Sequence, residues 1–114
     1  MVDKAKTIGA KRFDVYLVNL DPTVGSEINK KRPCVIISSD DVNQYLNTVT
    51  IACMTSTIKR YPTRVDIDFE KKEGQVALDQ IRTIDKVRLL KRLGSLDAKK
   101  GKELCRILQS MFAY

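Results

Sequence analysis

No histidine occurs among the 114 residues, and no tryptophan. The first absence removes the side chain that most often shuttles protons near neutral pH. Any acid–base chemistry must then use carboxylates of raised pKa, or fixed positive charge must stabilise the transition state. Zinc is short of ligands too, because Cys34, Cys53 and Cys105 include no CxxC pair. No metal and no cofactor is expected. Three cysteines, odd in number, far apart and each among apolar neighbours, read as reduced core thiols rather than a disulfide frame. No run approaches the roughly 20 apolar residues that span a bilayer. Residues 1–12 are polar and lysine-rich, with no apolar stretch behind them of the kind a secretory signal carries. These absences describe a soluble cytoplasmic protein that engages no membrane. Repeats and low-complexity tracts are missing as well.

What is present suits one domain over residues 1–114, with 43% hydrophobic residues to build a core. The net charge of +7 points to a polyanionic partner, and its distribution is uneven. Residues 86–106 hold eight Lys and Arg against Asp97 and Glu103, whereas residues 1–85 hold 13 basic and 12 acidic groups. Bulk charge therefore marks a basic C-terminal surface, which is equally the pattern of a solvated helix face, and locates no groove.

Residues 1–10 read as a loose lead-in. Residues 13–20 (FDVYLVNL) have the period and β-branched content of a strand, stopped by Asp21-Pro22 and a loop at Gly25-Ser26 that runs through Arg32. After Pro33, residues 34–38 (CVIIS) form a continuous apolar run, the pattern of a buried strand. Residues 40–47 fit a short helix or an irregular excursion. Residues 49–54 (VTIACM) read as a strand ending in the hydroxyl turn Thr55-Ser56-Thr57. Residues 64–69 (RVDIDF) alternate cleanly, 71–74 read as a turn, and 75–81 (QVALDQI) resume the strand pattern. Barrel strands and loops thus occupy 11–85, and 86–114 read as helical. A short helical turn fits 86–92. Asp97 caps a helix over 98–113 whose face carries Leu104, Ile107, Leu108 and Met111. Five or so short strands closed by a helix predict a mainly β fold with α additions, a strongly curved antiparallel barrel.

Four segments carry candidate chemistry. Arg32 before Pro33 offers a planar fork of permanent charge suited to a phosphate, or a partner for Glu27. Thr55-Ser56-Thr57 at a strand end can donate to phosphoryl oxygens, or simply form the turn. Asp79, in an apolar strand, must pair or shift its pKa, and Arg82 is its obvious mate. The loop 59–64 (KRYPTR) joins Tyr61 to flanking cations, a combination that suits single-stranded nucleic acid and also an ordinary hairpin loop.

In order, these blocks carry a resemblance. FDVYLVNLDPTVGSE, KRPCVIIS, IACMTSTI, YPTRVDI and above all LDQIRTIDKVRL, with their spacing, resemble the MazF, PemK and Kid family of ribonuclease toxins over residues 11–114. The resemblance implies an SH3-like barrel of the CcdB/PemK type with a C-terminal helix, paired as a homodimer whose interface forms RNA grooves. It implies metal-independent cleavage of single-stranded RNA, messenger RNA included, at short sequence motifs. Attack by the 2′-hydroxyl leaves a 2′,3′-cyclic phosphate and a 5′-hydroxyl. It implies a cognate antitoxin with an acidic C-terminal tail that blocks the groove.

The family's catalytic arginine and threonine fall on Arg32 and Thr55, and an aspartate implicated in acid–base work falls on Asp79. RNA contacts fall on Ser26, Glu27, Lys30, Lys31, Ser56, Thr57, Lys59, Tyr61 and Gln80. Ala77 and Ser26 stand where some members carry an arginine and a histidine, which favours a scheme centred on Arg32 and Thr55. Gyrase poisons of the CcdB type share the barrel but end in Trp-Gly-Ile, whereas this chain ends Met111-Phe112-Ala113-Tyr114. A non-catalytic RNA-binding module is the other alternative.

Overall fold

In the computed structural model, which describes residues 9–20 and 30–114, six strands form one antiparallel sheet. The strands are β1 (Asp14–Asn19), β2 (Lys31–Ile36), β3 (Thr48–Thr55), β4 (Arg64–Phe69), β5 (Lys72–Asp85) and β6 (Leu89–Ser95). Helix α1 (Asp40–Tyr45) separates β2 from β3, a single 3-10 turn (Lys86–Arg88) separates β5 from β6, and α2 (Ala98–Phe112) ends the fold. The spatial order is β4-β5-β3-β2-β1-β6.

Strands β1 to β3 are apolar on both faces, which is why residues 34–38 read as an unbroken run. Val35, Ala52 and Met54 join Val15, Val65, Val76 and Leu78 on one face, where the fully buried Leu104 seats α2. Cys34, Ile36, Ile51 and Cys53 join Tyr16, Val18, Val49 and Ile84 on the other. The helix starts where expected: Asp97 accepts a hydrogen bond from the Lys100 amide at 2.8 Å. Helix α1 resolves the ambiguity of residues 40–47, with Ser39 as its cap and Asp40 and Asp41 in its first turn.

The edge strands β4 and β6 meet through side chains. The Phe69 ring lies 3.1 Å from where a Cβ on Gly94 would stand, and Gly94 has φ +156°. A side chain there would crowd the ring and strain the backbone. The curled sheet so formed, with its C-terminal helix, is the barrel-like fold expected from the sequence.

Three local readings are corrected. The helical turn expected over 86–92 is only Lys86–Arg88; Leu89–Ser95 is a sixth strand, pairing along the free edge of β1. Its exposed, charged positions hide the alternation, as is common at sheet edges. The turn expected at 71–74 is the two-residue hairpin Glu70-Lys71, both with positive φ (53° and 66°) between the paired Phe69 and Lys72. Lys31 and Arg32, expected in a loop, already belong to β2.

Strand β5 is the scaffold of the site. It pairs with β4 through residues 72–77 and with β3 through 75–85, but not in one register. Ala52 faces Ile81 and Met54 faces Val76, so one β3 residue spans the place where β5 spends four, residues 77–80. This bulge turns Asp79 and Gln80 out of the ladder and leaves Cys53 opposite the gap.

Candidate functional site

Arg32 and Thr55 come together because β2 and β3 are neighbours. Cys34, Val35 and Ile36 face Cys53, Ala52 and Ile51, and the same register carried two residues further sets Arg32 opposite Thr55. Both line a solvent-open cleft of about 380 Å³. Met54, Ile67, Phe69 and Leu93 give it apolar walls, and Ser56, Thr57, Glu70, Lys72 and Glu73 ring it with polar groups. The Thr55 hydroxyl oxygen accepts from the Thr57 amide at 3.1 Å, which orients it and leaves its proton to donate outward. Arg32 is exposed and makes no ion pair among the described residues.

A second cleft, of about 680 Å³, adjoins the first through Arg32 and opens opposite the β5 bulge. Leu20, Lys30, Cys53, Gln80, Ile81 and Arg82 complete its lining. Three cations therefore face one groove with an amide side chain beside them, an arrangement suited to a phosphodiester backbone.

Of the residues singled out from sequence, Arg32, Thr55, Ser56 and Thr57 share the first cleft, and Lys30, Arg32 and Gln80 the second. Lys31 is exposed on β2 opposite Asn19. Lys59, Tyr61 and Asp79 line neither. Ser26 and Glu27 lie outside the described residues. Tyr61 is half-exposed, with the Arg64 guanidinium 5.2 Å from its ring centre.

Asp79 is corrected in one respect: its mate is Arg64 on β4, not Arg82. Arg64 Nε and Nη2 donate to the two carboxylate oxygens at 2.8 and 3.3 Å, and the Thr63 hydroxyl donates at 2.8 Å. Arg64 above all, and then Thr63, hold the carboxyl below its ordinary 3.8, at about 2. A folded-state pKa below the unfolded value adds stability above about pH 4 that is lost as pH falls through about 2. Asp79→Ala should therefore cost roughly 1–3 kcal/mol at pH 7, since it strands a guanidinium whose side chain is only 6% exposed. Urea unfolding should show that deficit shrinking below about pH 3, and a pH-independent deficit would contradict the ion pair.

The sequence did not mark two residues for the places they hold: Arg82 was named only as a mate for Asp79, and Gln75 not at all. Arg82 lines the second cleft and makes no ion pair among the described residues; its two-residue offset from Gln80 on one strand was the available signal. Gln75 is buried. Its amide oxygen accepts from the Lys59 amide at 3.0 Å, and its nitrogen donates to the Lys59 carbonyl and to Asp66. It thereby pins the basic loop to the sheet. No signal in the sequence separated it from an ordinary strand glutamine.

Among the described residues no cluster of three or more His, Cys, Asp or Glu could hold a metal ion, and no helix is long and apolar enough to cross a membrane.

The family model described as "PemK-like, MazF-like toxin of type II toxin-antitoxin system" matches residues 11–112. A protein named Endoribonuclease MazF from Staphylococcus saprophyticus is 44% identical over 100 residues, covering 82% of this chain and 83% of that protein. The Mycobacterium tuberculosis toxin MazF-mt6 superposes with a TM-score of 0.73 at 25% identity, over 87% of this chain and 95% of that one. A MazE-MazF crystal structure from Deinococcus radiodurans gives 0.76 at 24% identity, over 89% and 93% of the two chains, and so shares the fold.

Proposed function

The chain belongs to the PemK-like, MazF-like family of toxins from type II toxin–antitoxin systems, and from that premise we propose that it is a sequence-specific endoribonuclease cutting single-stranded RNA. The observation that carries the proposal is the joint lining of one open cleft by Arg32 and Thr55.

Cleavage begins with attack of the 2′-hydroxyl on the adjacent phosphorus, an internal nucleophile already held near its target. Negative charge grows on the non-bridging oxygens. Arg32, always charged, stabilises it, and the Thr55 hydroxyl donates to one of those oxygens. No divalent ion is needed for this step, and the products carry a 2′,3′-cyclic phosphate and a 5′-hydroxyl. Asp79 is paired with Arg64 and held at about 2, which makes it a weaker base than an unpaired carboxylate. Glu70 and Glu73 stand in the same cleft as Arg32 and join Asp79 and Glu27 as candidates for the base. Lys30, Arg82 and Gln80 hold the flanking strand in the second cleft. Ser26, Glu27, Lys31, Lys59 and Tyr61 contribute the variable contacts that choose the sequence.

The working form is a homodimer in the cytoplasm, which sedimentation at micromolar concentration reads for its oligomeric part. A chain of net charge +7 attracts the acidic tail of an antitoxin, which occupies the same grooves. The deciding experiment is incubation with a long RNA in excess EDTA, followed by mapping of the ends. Cuts at a recurring motif with cyclic phosphate termini are expected, and an acidic antitoxin tail should suppress them. Intact RNA shifted on a gel would make the protein a binding module, and cutting that requires magnesium would refute the mechanism.

A further inference from the structure

Two thiols that the proposed reaction does not use lie at its edge. Cys34 and Cys53 are direct cross-strand partners on β2 and β3, with their sulfurs 3.5 Å apart. The ladder settles which kind of pair they form. The Ile37 amide donates to the Thr50 carbonyl at 2.9 Å, so that pair is hydrogen-bonded, and alternation makes Cys34 and Cys53, three steps along, a non-hydrogen-bonded pair. At such positions the Cα atoms stand about 4.5 Å apart, within the span a disulfide bridges.

The two thiols differ in access. Cys34 is 0% exposed and Cys53, also buried at 6%, lines the second cleft opposite the β5 bulge. The hydrogen bond from Cys34, and then the charges of Arg32 and Arg82, hold the Cys53 thiol below its ordinary value, at about 7 against the effect of burial. A thiol of lowered pKa at the wall of an open cleft, with a second sulfur in contact, is the arrangement of a reactive cysteine and its resolving partner.

We propose that Cys53 and Cys34 are a hydroperoxide-sensitive dithiol whose closure to an intrachain disulfide slows RNA cleavage, a proposal that rests on Arg32 and Thr55 being the cleavage pair. The Cys53 thiolate attacks one peroxide oxygen and the O–O bond breaks. The other oxygen leaves and is protonated to water or an alcohol, and Cys53 becomes a sulfenic acid. The Cys34 sulfur then attacks the Cys53 sulfur, the S–O bond breaks, and the departing oxygen takes the Cys34 proton as water. The two sulfurs together lose two electrons, which reduce the peroxide. Arg32 lies two residues before Cys34 and Thr55 two residues after Cys53. Drawing the sulfurs into a covalent bond therefore shifts the strands beside the pair that must meet the phosphate.

The test treats the whole protein with hydrogen peroxide, first without RNA. Intact mass should fall by two hydrogens, and non-reducing peptide maps should link the Cys34 and Cys53 peptides while Cys105 stays open to alkylation. RNA cleavage should fall at least roughly tenfold, since small misplacements in a preorganised site are costly, and dithiothreitol should restore it. Cys34→Val and Cys34→Ala should keep the reduced protein's cleavage rate and lose the inhibition that dithiothreitol reverses. Sulfinic acid on Cys53 without a link, or a link that leaves cleavage unchanged, would overturn the proposal. A chain that links its thiols but never cuts RNA when reduced bears out the dithiol chemistry and overturns the ribonuclease reading. One that cuts RNA and never links overturns the dithiol alone.

Discussion

Arg32→Ala should lower RNA cleavage roughly 100- to 1,000-fold, about 2.7–4 kcal/mol of transition-state stabilisation, while leaving the fold intact. The two halves of that expectation have separate grounds. Arg32 is exposed, sits near the start of β2, and makes no ion pair among the described residues, so removing it breaks no ion pair among them. Its stability cost should stay within about 0.5 kcal/mol, as for most surface substitutions. The catalytic cost is large because no histidine exists to share the burden and the phosphorane carries more negative charge than the ground state. Arg32→Lys separates charge from shape. It keeps the cation but loses the fork that meets two oxygens at once, so an intermediate rate is expected. Single-turnover cleavage of an oligonucleotide, beside a melting curve of each variant, reads both quantities. Near-normal cutting by a folded Arg32→Ala protein would remove the foundation of the mechanism.

How the site was legible follows from the same residues. Arg32 and Thr55 were legible as cleft residues because they sit at strand ends, and the order of blocks also marked Gln80, which the structure places at the β5 bulge. The partner of Asp79 was missed because Arg82, three residues on, is the nearest cation along the chain, although strand alternation sets the two on opposite faces. The β4–β5 register, with the bulge at residues 77–80 beside it, brings the carboxylate to Arg64 on the neighbouring strand instead. Strand β6 was missed for a related reason. A sequence cannot show which edge a charged segment will pair with, and Leu89–Ser95 is a strand only because β1 offers one. The dithiol pair is of the same kind. Nineteen positions separate Cys34 from Cys53, and only the β2–β3 register brings the sulfurs into contact.

Gly74 teaches the point most sharply, and Gly74→Ala should be the most damaging single-methyl change near the site. Read from sequence, a glycine after Lys-Lys-Glu is a turn signal. In the structure it lies within β5, opposite Ile67, and the turn is complete three residues earlier at Lys71. What requires glycine is proximity. A Cβ there would stand 2.5 Å from the Thr55 carbonyl oxygen and 3.4 Å from its carbon. Those are backbone atoms, which no rotamer change can move aside. Either β5 or the Thr55–Thr57 turn must shift, at roughly 1–3 kcal/mol, the usual cost of forcing a group into filled space. Because the strain falls on Thr55, whose hydroxyl we propose donates to the phosphate, cleavage should fall with stability. Gly9→Ala, with nothing within 4 Å of its Cβ, is the matched control and should change neither. Urea unfolding and RNA cleavage measured on both variants test the contact. A Gly74→Ala protein as stable and active as Gly9→Ala would mean that β5 does not press on Thr55, and that the cleft's shape comes from elsewhere.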